Sequence, residues 1–501
     1  MDVNYQDINM LTYFENLINQ VGPSLSILFN WIYIITVIAI TIIIVSQNRS
    51  PHKTMSWILI LMLFPIIGII FYLFLGQNHR KQKIFSRKGL VDFAKFEELS
   101  EQQYIHLSQT DYSHNRYLKD RIKMIKLLLQ NSKALLSRFN EVHILNNGHD
   151  TFKTMFEEIR KAKHHIHLEY YILYSDKIGQ ELGKLLIEKV NEGVKVRIIY
   201  DHVGSWDITS NYISKLKKQG VEIGCFMPVR FPFFTGKINY RNHRKITVID
   251  GKVGFVGGIN IADHYIHGKK KIPFWRDTHL KLEGESVNAL QAIFATDWYF
   301  LKKELLDDPL YFPKTTVTKQ VLMQIVASGP DSDWASIMQA YFTSITSANS
   351  NIFISTPYLM PNESILTALK TAALSGIDVK ILIPGISDSR LVYYATLSFV
   401  KELLAAGIEV YFYRKGFNHS KIIMVDNAFC SIGTANMDYR SFSQNFEVNA
   451  LIYDPEIASE LTYWFLEDLK ESEIINLHEW RKRPILDKFK ANIARIASPF
   501  L

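Results

Sequence analysis

The strongest constraint on this chain is an internal repeat. Residues His243–Asn260 read HRKITVIDGKVGFVGGIN, and residues His419–Asn436 read HSKIIMVDNAFCSIGTAN. Histidine, lysine, aspartate, glycine and asparagine recur at the same offsets: His243, Lys245, Asp250, Gly257 and Asn260 against His419, Lys421, Asp426, Gly433 and Asn436. A single copy would read as an ordinary strand ending in a turn. Five residues at fixed spacing in two otherwise diverged segments are hard to obtain from strand packing alone.

The repeat extends upstream. IHLEYYIL followed by GVKVRIIYD is similar to IFISTPYL followed by GIDVKILIP, and GVEIGCF and GIEVYFY then precede the two motifs. Each half reads strand, helix, strand, helix, strand, then a motif strand and hairpin, which predicts an α/β layered unit with a largely buried sheet. The expected organisation is two such repeats, 141–315 and 316–501, forming a pseudo-twofold catalytic body. A partly helical linker, 81–140, and an N-terminal membrane region, 1–80, precede them.

Strand alternation assigns the motif's faces. IIMV is apolar and β-branched, so His419 and Lys421 point the same way. Asp426 lies an odd number of positions from His419 and is followed by Asn427, good turn chemistry, so it reads as a turn and support residue, as does Asp250. Gly257, Gly258 and Gly433 read as close-packing positions.

One histidine with one lysine makes half of a catalyst for displacement at phosphorus. The reaction needs a nucleophile on one side, an acid on the leaving oxygen at the other, and cations for the non-bridging oxygens. Two facing copies supply all of these. The candidate catalytic set is therefore His243, Lys245, Asp250, His419, Lys421 and Asp426. An ordinary imidazole titrates near pH 6.5, so one neutral and one protonated histidine are expected to coexist. The chemistry asks for no metal or cofactor. His164, His165 and His167 lack the spacing of a closed metal site and read as strand-surface residues. Cys225 and Cys430 read as reduced core cysteines.

The hydrophobic fraction is 48%, with the excess at the N-terminus. Leu25–Val45 and Met55–Leu75 each carry no charged residue, and each is long enough to cross a hydrocarbon core of about 30 Å as a helix. No Lys or Arg precedes the first, so a secretory signal peptide is a poor fit. Arg80, Lys81, Lys83, Arg87 and Lys88 follow the second and outnumber Arg49 and Lys53 between the two. Both ends of the hairpin are therefore expected in the cytoplasm. The net charge of +8 suits nucleic acid or anionic lipid, and its placement beside the second span favours lipid.

The duplicated pattern resembles the phospholipase D superfamily and, within it, bacterial cardiolipin synthases. The narrower resemblance rests on RNHRKITVIDG, FWRDTHLKLEG, ASGPDSDW, STPYLMP, GTANMDYRSFSQNFEVNA and IARIASPFL, with the apolar hairpin. It implies a multi-pass protein of the bacterial cell membrane that joins two phosphatidylglycerols through a phosphatidyl-histidine, releasing glycerol. Its partners would be phosphatidylglycerol and anionic membrane lipids, without nucleic acid, and the oligomeric state stays open. The alternatives are another phosphatidyltransferase or a hydrolytic phospholipase D. By resemblance Lys245, Lys421, Asn260 and Asn436 would hold phosphate oxygens, Glu447 would orient His419, and the matching segment WRDTH nominates Asp277 for His243. The chain departs from the family after ILIP, where Asp388 is followed by Ser389 instead of the usual histidine.

Overall fold

The computed structural model describes residues 91–110, 118–229 and 239–501, with 27, 31, 34–42, 44–46, 51–63 and 68–69 before them. Residues 1–78 with 231–238 form one unit, and 79–230 with 239–501 form a second, larger one.

In the smaller unit, residues 34–42, 44–46 and Pro51–Leu63 are helical. Ile40, Ile44, Trp57 and Leu61 are buried, while Ile34, Ile38, Ile42, Met55 and Leu59 are exposed. The two expected spans fall partly outside the described residues, and the basic segment from Arg80 to Lys88 falls wholly outside them. Among the described residues no helix is long and apolar enough to cross a membrane.

The larger unit is built on one fifteen-stranded sheet. The first repeat contributes β1 (Leu136–Asn146), β2 (His165–Tyr170), β3 (Lys195–Asp201), β4 (Glu222–Phe226), β5 (Lys245–Ile249), β6 (Val253–Gly257) and β8 (Thr278–Gly284). The second contributes β9 (Gln320–Ser328), β10 (Asn351–Ser355), β12 (Asp378–Pro384), β13 (Glu409–Tyr413), β15 (Ile422–Val425), β16 (Phe429–Gly433) and β18 (Glu447–Ile452), with β19 (Ser472–Ile474) at its edge. Across the sheet the order is β4-β3-β2-β5-β6-β8-β1, then β9-β18-β16-β15-β10-β12-β13-β19. The second half mirrors the first about the antiparallel β1–β9 seam, where Leu136 faces Gln324. In each half the three crossover strands pair in parallel and the motif hairpin pairs antiparallel to the first of them.

Side chains that alternate along a covered strand bury both of its faces, and each fully buried Val, Ile or Leu contributes about 1.5–3 kcal/mol. One apolar cluster crosses the seam: Ile246, Val256 and Leu280 of the first repeat pack with Ile422, Ile432 and Val448 of the second. The repeats therefore share a core, which fixes the two motifs relative to each other.

The segment read as a linker contains helix Ile122–Ser132, whose Met124, Ile125, Leu128 and Leu129 lie in the second repeat's core with Val326 and Ile337. Its apolar residues recur at helical spacing, so this part of the partly helical linker packs as an amphipathic helix. His165 and His167 are fully buried, not on a strand surface. Their strand is interior, and helix Ser286–Lys302 covers that face, with the Phe294 ring stacked on His167 at 4.4 Å. Among the described residues no group of His, Cys, Asp or Glu is arranged to hold a metal ion. Cys225 and Cys430 are free thiols.

Candidate active site

Each motif enters its hairpin strand from a short segment that pairs with the opposite repeat. β14 (Phe417–Asn418) lies parallel to β7 (Trp275–Arg276), and Asn242 forms a parallel bridge with Phe446. The His419 N–H donates to the Arg276 carbonyl at 2.7 Å, and the His243 N–H donates to the Phe446 carbonyl at 2.9 Å. The residue after each accepting carbonyl is an acid, Asp277 or Glu447. Each histidine is thereby laid beside the acid of the other repeat.

The acid assignments made from sequence are therefore exchanged. His243 Nδ1 lies 2.9 and 3.0 Å from the two oxygens of Glu447. His419 Nδ1 lies 2.7 Å from Asp277 Oδ2. Pairing within a repeat is what the resemblance implies. It fails because the backbone bonds just described run between repeats, and the two shared strand pairs carry the acids across the pseudo-twofold.

The two dyads are not identical. Glu447 is completed by the hydroxyl of Thr434 at 2.5 Å and the side-chain amide of Asn445 at 3.2 Å. At His419, the Lys421 ammonium stands 2.9 Å from the same Nδ1 that meets Asp277. Both lysines also donate to the carbonyl of the histidine two residues earlier, Lys245 at 2.7 Å. The aromatic walls are Tyr171, edge-on to His243 at 4.9 Å, and Tyr265 and Trp275 beside His419 at 5.9 and 5.5 Å.

Burial sets the electrostatics. It pushes Lys245 down to about 7 and Lys421 down to about 8, with the carboxylates of Glu447 and Asp277 opposing the loss of charge. It takes His243 to about 4 against the pull of Glu447. His419 is also driven well below its ordinary value, first by burial and then by Lys421, Lys245 and His243. Burial raises Asp277 to about 6. At Glu447 burial pushes upward, but His243, Lys245 and Thr434 outweigh it, and the carboxyl is held below its usual range. Both imidazoles therefore favour the neutral form, where one neutral and one protonated histidine were expected.

Asp250 and Asp426 sit at the hairpin turns, with φ of 53° and 58°. Asp250 accepts the backbone N–H groups of Lys163, His164 and His165 at 2.8–2.9 Å. Asp426 accepts those of Asn349 and Ser350, and pairs with the buried Arg121 at 2.7 Å. Both carboxylates tie a neighbouring strand to the motif hairpin, a different environment from that of the imidazoles. Gly257 and Gly433 are close approaches: a Cβ on Gly433 would lie 2.4 Å from the Asn449 side chain, and one on Gly257 2.5 Å from His279 Cα.

Asn260 accepts from the Ile172 N–H at 3.0 Å and donates to the Tyr265 hydroxyl. Asn436 is buried, with its backbone N–H on Ser441. Sequence reasoning missed the cluster around Asp388, although the Asp-Ser pair after ILIP marked the place. Asp388 accepts from the Tyr358 hydroxyl at 2.8 Å, and its charge helps Lys421 keep its proton. Ser389 begins helix Arg390–Ala405 without capping it through its side chain. Asp201 and Arg241, a buried pair, were also missed. Asp201 accepts the Asn242 N–H at 3.0 Å and so fixes the approach to His243.

The chain is similar to known proteins over most of its length. The family described as cardiolipin synthase, PLD-like domain, matches residues 155–298 and 341–469, and the phospholipase D-nuclease N-terminal family matches 34–77. Relatives named cardiolipin synthase include one from Geobacillus sp. (strain WCH70), 46% identical over 93% of this chain and 92% of its own length. Another, from Alkalihalophilus pseudofirmus, is 42% identical over 99% of both chains. The crystal structure of phosphatidylserine synthase from Haemophilus influenzae superposes with a TM-score of 0.59 at 13% identity, covering 76% of this chain and 99% of that one, and shows the shared fold. With two facing histidine–lysine motifs on one continuous sheet and relatives matched over nearly their whole length, this chain belongs to the cardiolipin synthase family of phospholipase D-like proteins.

Proposed function

We propose that the protein transfers a phosphatidyl group from one phosphatidylglycerol to the free glycerol hydroxyl of another, forming cardiolipin and releasing glycerol. The observation that carries this reading is the pair of crossed imidazole–carboxylate dyads flanking two buried lysines. A neutral imidazole with Nδ1–H held by a carboxylate presents its Nε2 lone pair as a nucleophile. One histidine attacks phosphorus and forms a P–N bond as the P–O bond to the departing glycerol breaks. The other gives that oxygen its proton. In the second half, the now neutral second histidine takes the proton from the incoming hydroxyl, the new P–O bond forms and the P–N bond breaks.

Lys245 and Lys421, with the remaining amide hydrogens of Asn260 and Asn436, hold the non-bridging oxygens. The phosphodiester's negative charge opposes the lysine charges that depress the imidazoles. Substrate binding therefore raises the affinity of the second histidine for a proton, so that one imidazole is neutral and the other protonated when phosphorus is attacked. The apolar helices before residue 80 form a membrane hairpin with both ends in the cytoplasm, and the larger unit works at the inner leaflet.

Purified full-length protein incubated with vesicles of phosphatidylglycerol alone is expected to yield cardiolipin and free glycerol in equal amounts. Phosphatidic acid as the main product would move the assignment to hydrolysis. A cysteine placed between Ser46 and Thr54 should react with an impermeant thiol reagent added outside intact cells, whereas one placed at Arg80 should not. The reverse pattern would overturn the topology.

A further inference from the structure

The helix Ile485–Ala497 is held to the body by a narrow face. Ala491 and Ala494 are buried, Arg495 pairs with Glu402 at 2.6 Å, and its guanidinium lies over the Phe399 ring at 4.3 Å. The support is helix Arg390–Ala405, which starts at Asp388 and Ser389 beside the site. The far end of the segment, Ser498–Phe500, packs on Tyr439–Ser443, which follows the buried Asp438. The helix is thus attached at two places to elements that run directly into the site.

Its opposite face is apolar and uncovered. Ile485, Leu486, Phe489, Ile493 and Ile496 are between 52% and 85% exposed. At 100° per residue they fall within a single arc of about 100°, the stripe of a helix that buries one side. An isolated exposed leucine needs no explanation, whereas five large apolar side chains in one stripe do. Charge indicates what covers them. Lys488 and Lys490 lie on the two edges of the stripe, and Arg481, Lys482 and Arg483 precede it, against only Glu479 and Asp487. Cationic side chains bordering an apolar stripe place their stems along hydrocarbon and their heads among phosphates.

We propose that Ile485–Ala497 is an in-plane membrane helix that seats the larger unit on an anionic leaflet, separately from the N-terminal hairpin. The stripe enters the boundary between headgroups and acyl chains, the lysines pair with lipid phosphates, and the supporting helix sets the depth of the Asp388 end of the site.

The test uses the full chain in phosphatidylglycerol vesicles, with Cys225→Ser and Cys430→Ala as background. An environment-sensitive fluorophore is placed in turn on Ile485→Cys, Asp487→Cys, Phe489→Cys, Lys490→Cys, Ile493→Cys and Ile496→Cys. Quenching by lipids spin-labelled in the upper acyl chain should rise and fall with helical period. Positions 485, 489, 493 and 496 should be quenched about twofold or more above 487 and 490, and the pattern should weaken in vesicles of neutral lipid. This readout needs no turnover, so it stands or falls apart from the assigned reaction. Uniform low quenching, or protection from lipid quenchers accompanied by energy transfer between labelled copies, would overturn the proposal. The second result would mean that another copy of the chain covers the stripe.

Discussion

Glu447 of the second repeat holds Nδ1 of His243 of the first, with oxygens at 2.9 and 3.0 Å. Asp277 returns the relationship to His419 at 2.7 Å. Neither repeat contains a complete dyad, so neither half should retain activity when the other is damaged, and the predictions below follow from that dependence.

His243→Ala and His419→Ala should each reduce cardiolipin formation by at least about 100-fold per folded molecule, since each removes a nucleophile or an acid. The double variant should be little worse than either single one, because both groups serve the same displacement. Single variants that each keep about half of the activity would mean that the two histidines act in separate sites, and losses that multiply would mean that they contribute independently. Turnover on phosphatidylglycerol, normalised to folded protein, decides between these outcomes.

Asp250→Asn and Asp426→Asn should lower stability and leave the surviving folded enzyme active. The first weakens three bonds from backbone N–H groups, at about 1–3 kcal/mol. The second also strands the buried Arg121, and breaking such a pair costs about 3–5 kcal/mol. Thermal unfolding in nanodiscs should show Asp426→Asn as the lower-melting variant. Unchanged melting temperatures with activity as low as that of the histidine variants would place these aspartates in the chemistry.

The pH profile should fall on its alkaline side. Both lysines are depressed, to about 7 and about 8, so raising the pH through this range removes the charges that hold the phosphate. Because kcat/KM reports the free enzyme, it should decline between about pH 7 and 9. On the acid side, His243 stays neutral down to about 4, so no loss from its protonation is expected at pH 6. A kcat/KM that climbs steadily from pH 7 to 9 would contradict the assignment.

Much of this site is legible in the sequence, for identifiable reasons. Two copies of one spacing imply two copies of one hairpin, and strand alternation alone places His419 and Lys421 together and Asp426 at the turn. The α/β layering of each repeat follows from its alternating apolar runs. What could not be read depends on contacts between distant segments. The exchange of Asp277 and Glu447 arises from pairing between β14 and β7, two-residue strands with no periodicity to detect. The burial of His165 and His167 depends on Tyr311 and Phe294, more than 100 residues away in sequence. The helix Ile122–Ser132 falls in the segment expected to be partly helical, but its docking is not legible because its apolar residues match a core contributed by the second repeat.

The most direct measurement of the central claim is nitrogen-15 NMR of histidine-labelled full-length protein in nanodiscs, comparing the native chain with Glu447→Gln and Asp277→Asn. The crossed arrangement predicts that Glu447→Gln moves or abolishes the downfield Nδ1–H signal of His243 and spares that of His419, while Asp277→Asn does the reverse. Assignment of the two signals comes from the His243→Ala and His419→Ala proteins. If Glu447→Gln instead perturbs His419 and leaves His243 unchanged, each repeat orients its own histidine and the account of a site shared across the pseudo-twofold is wrong.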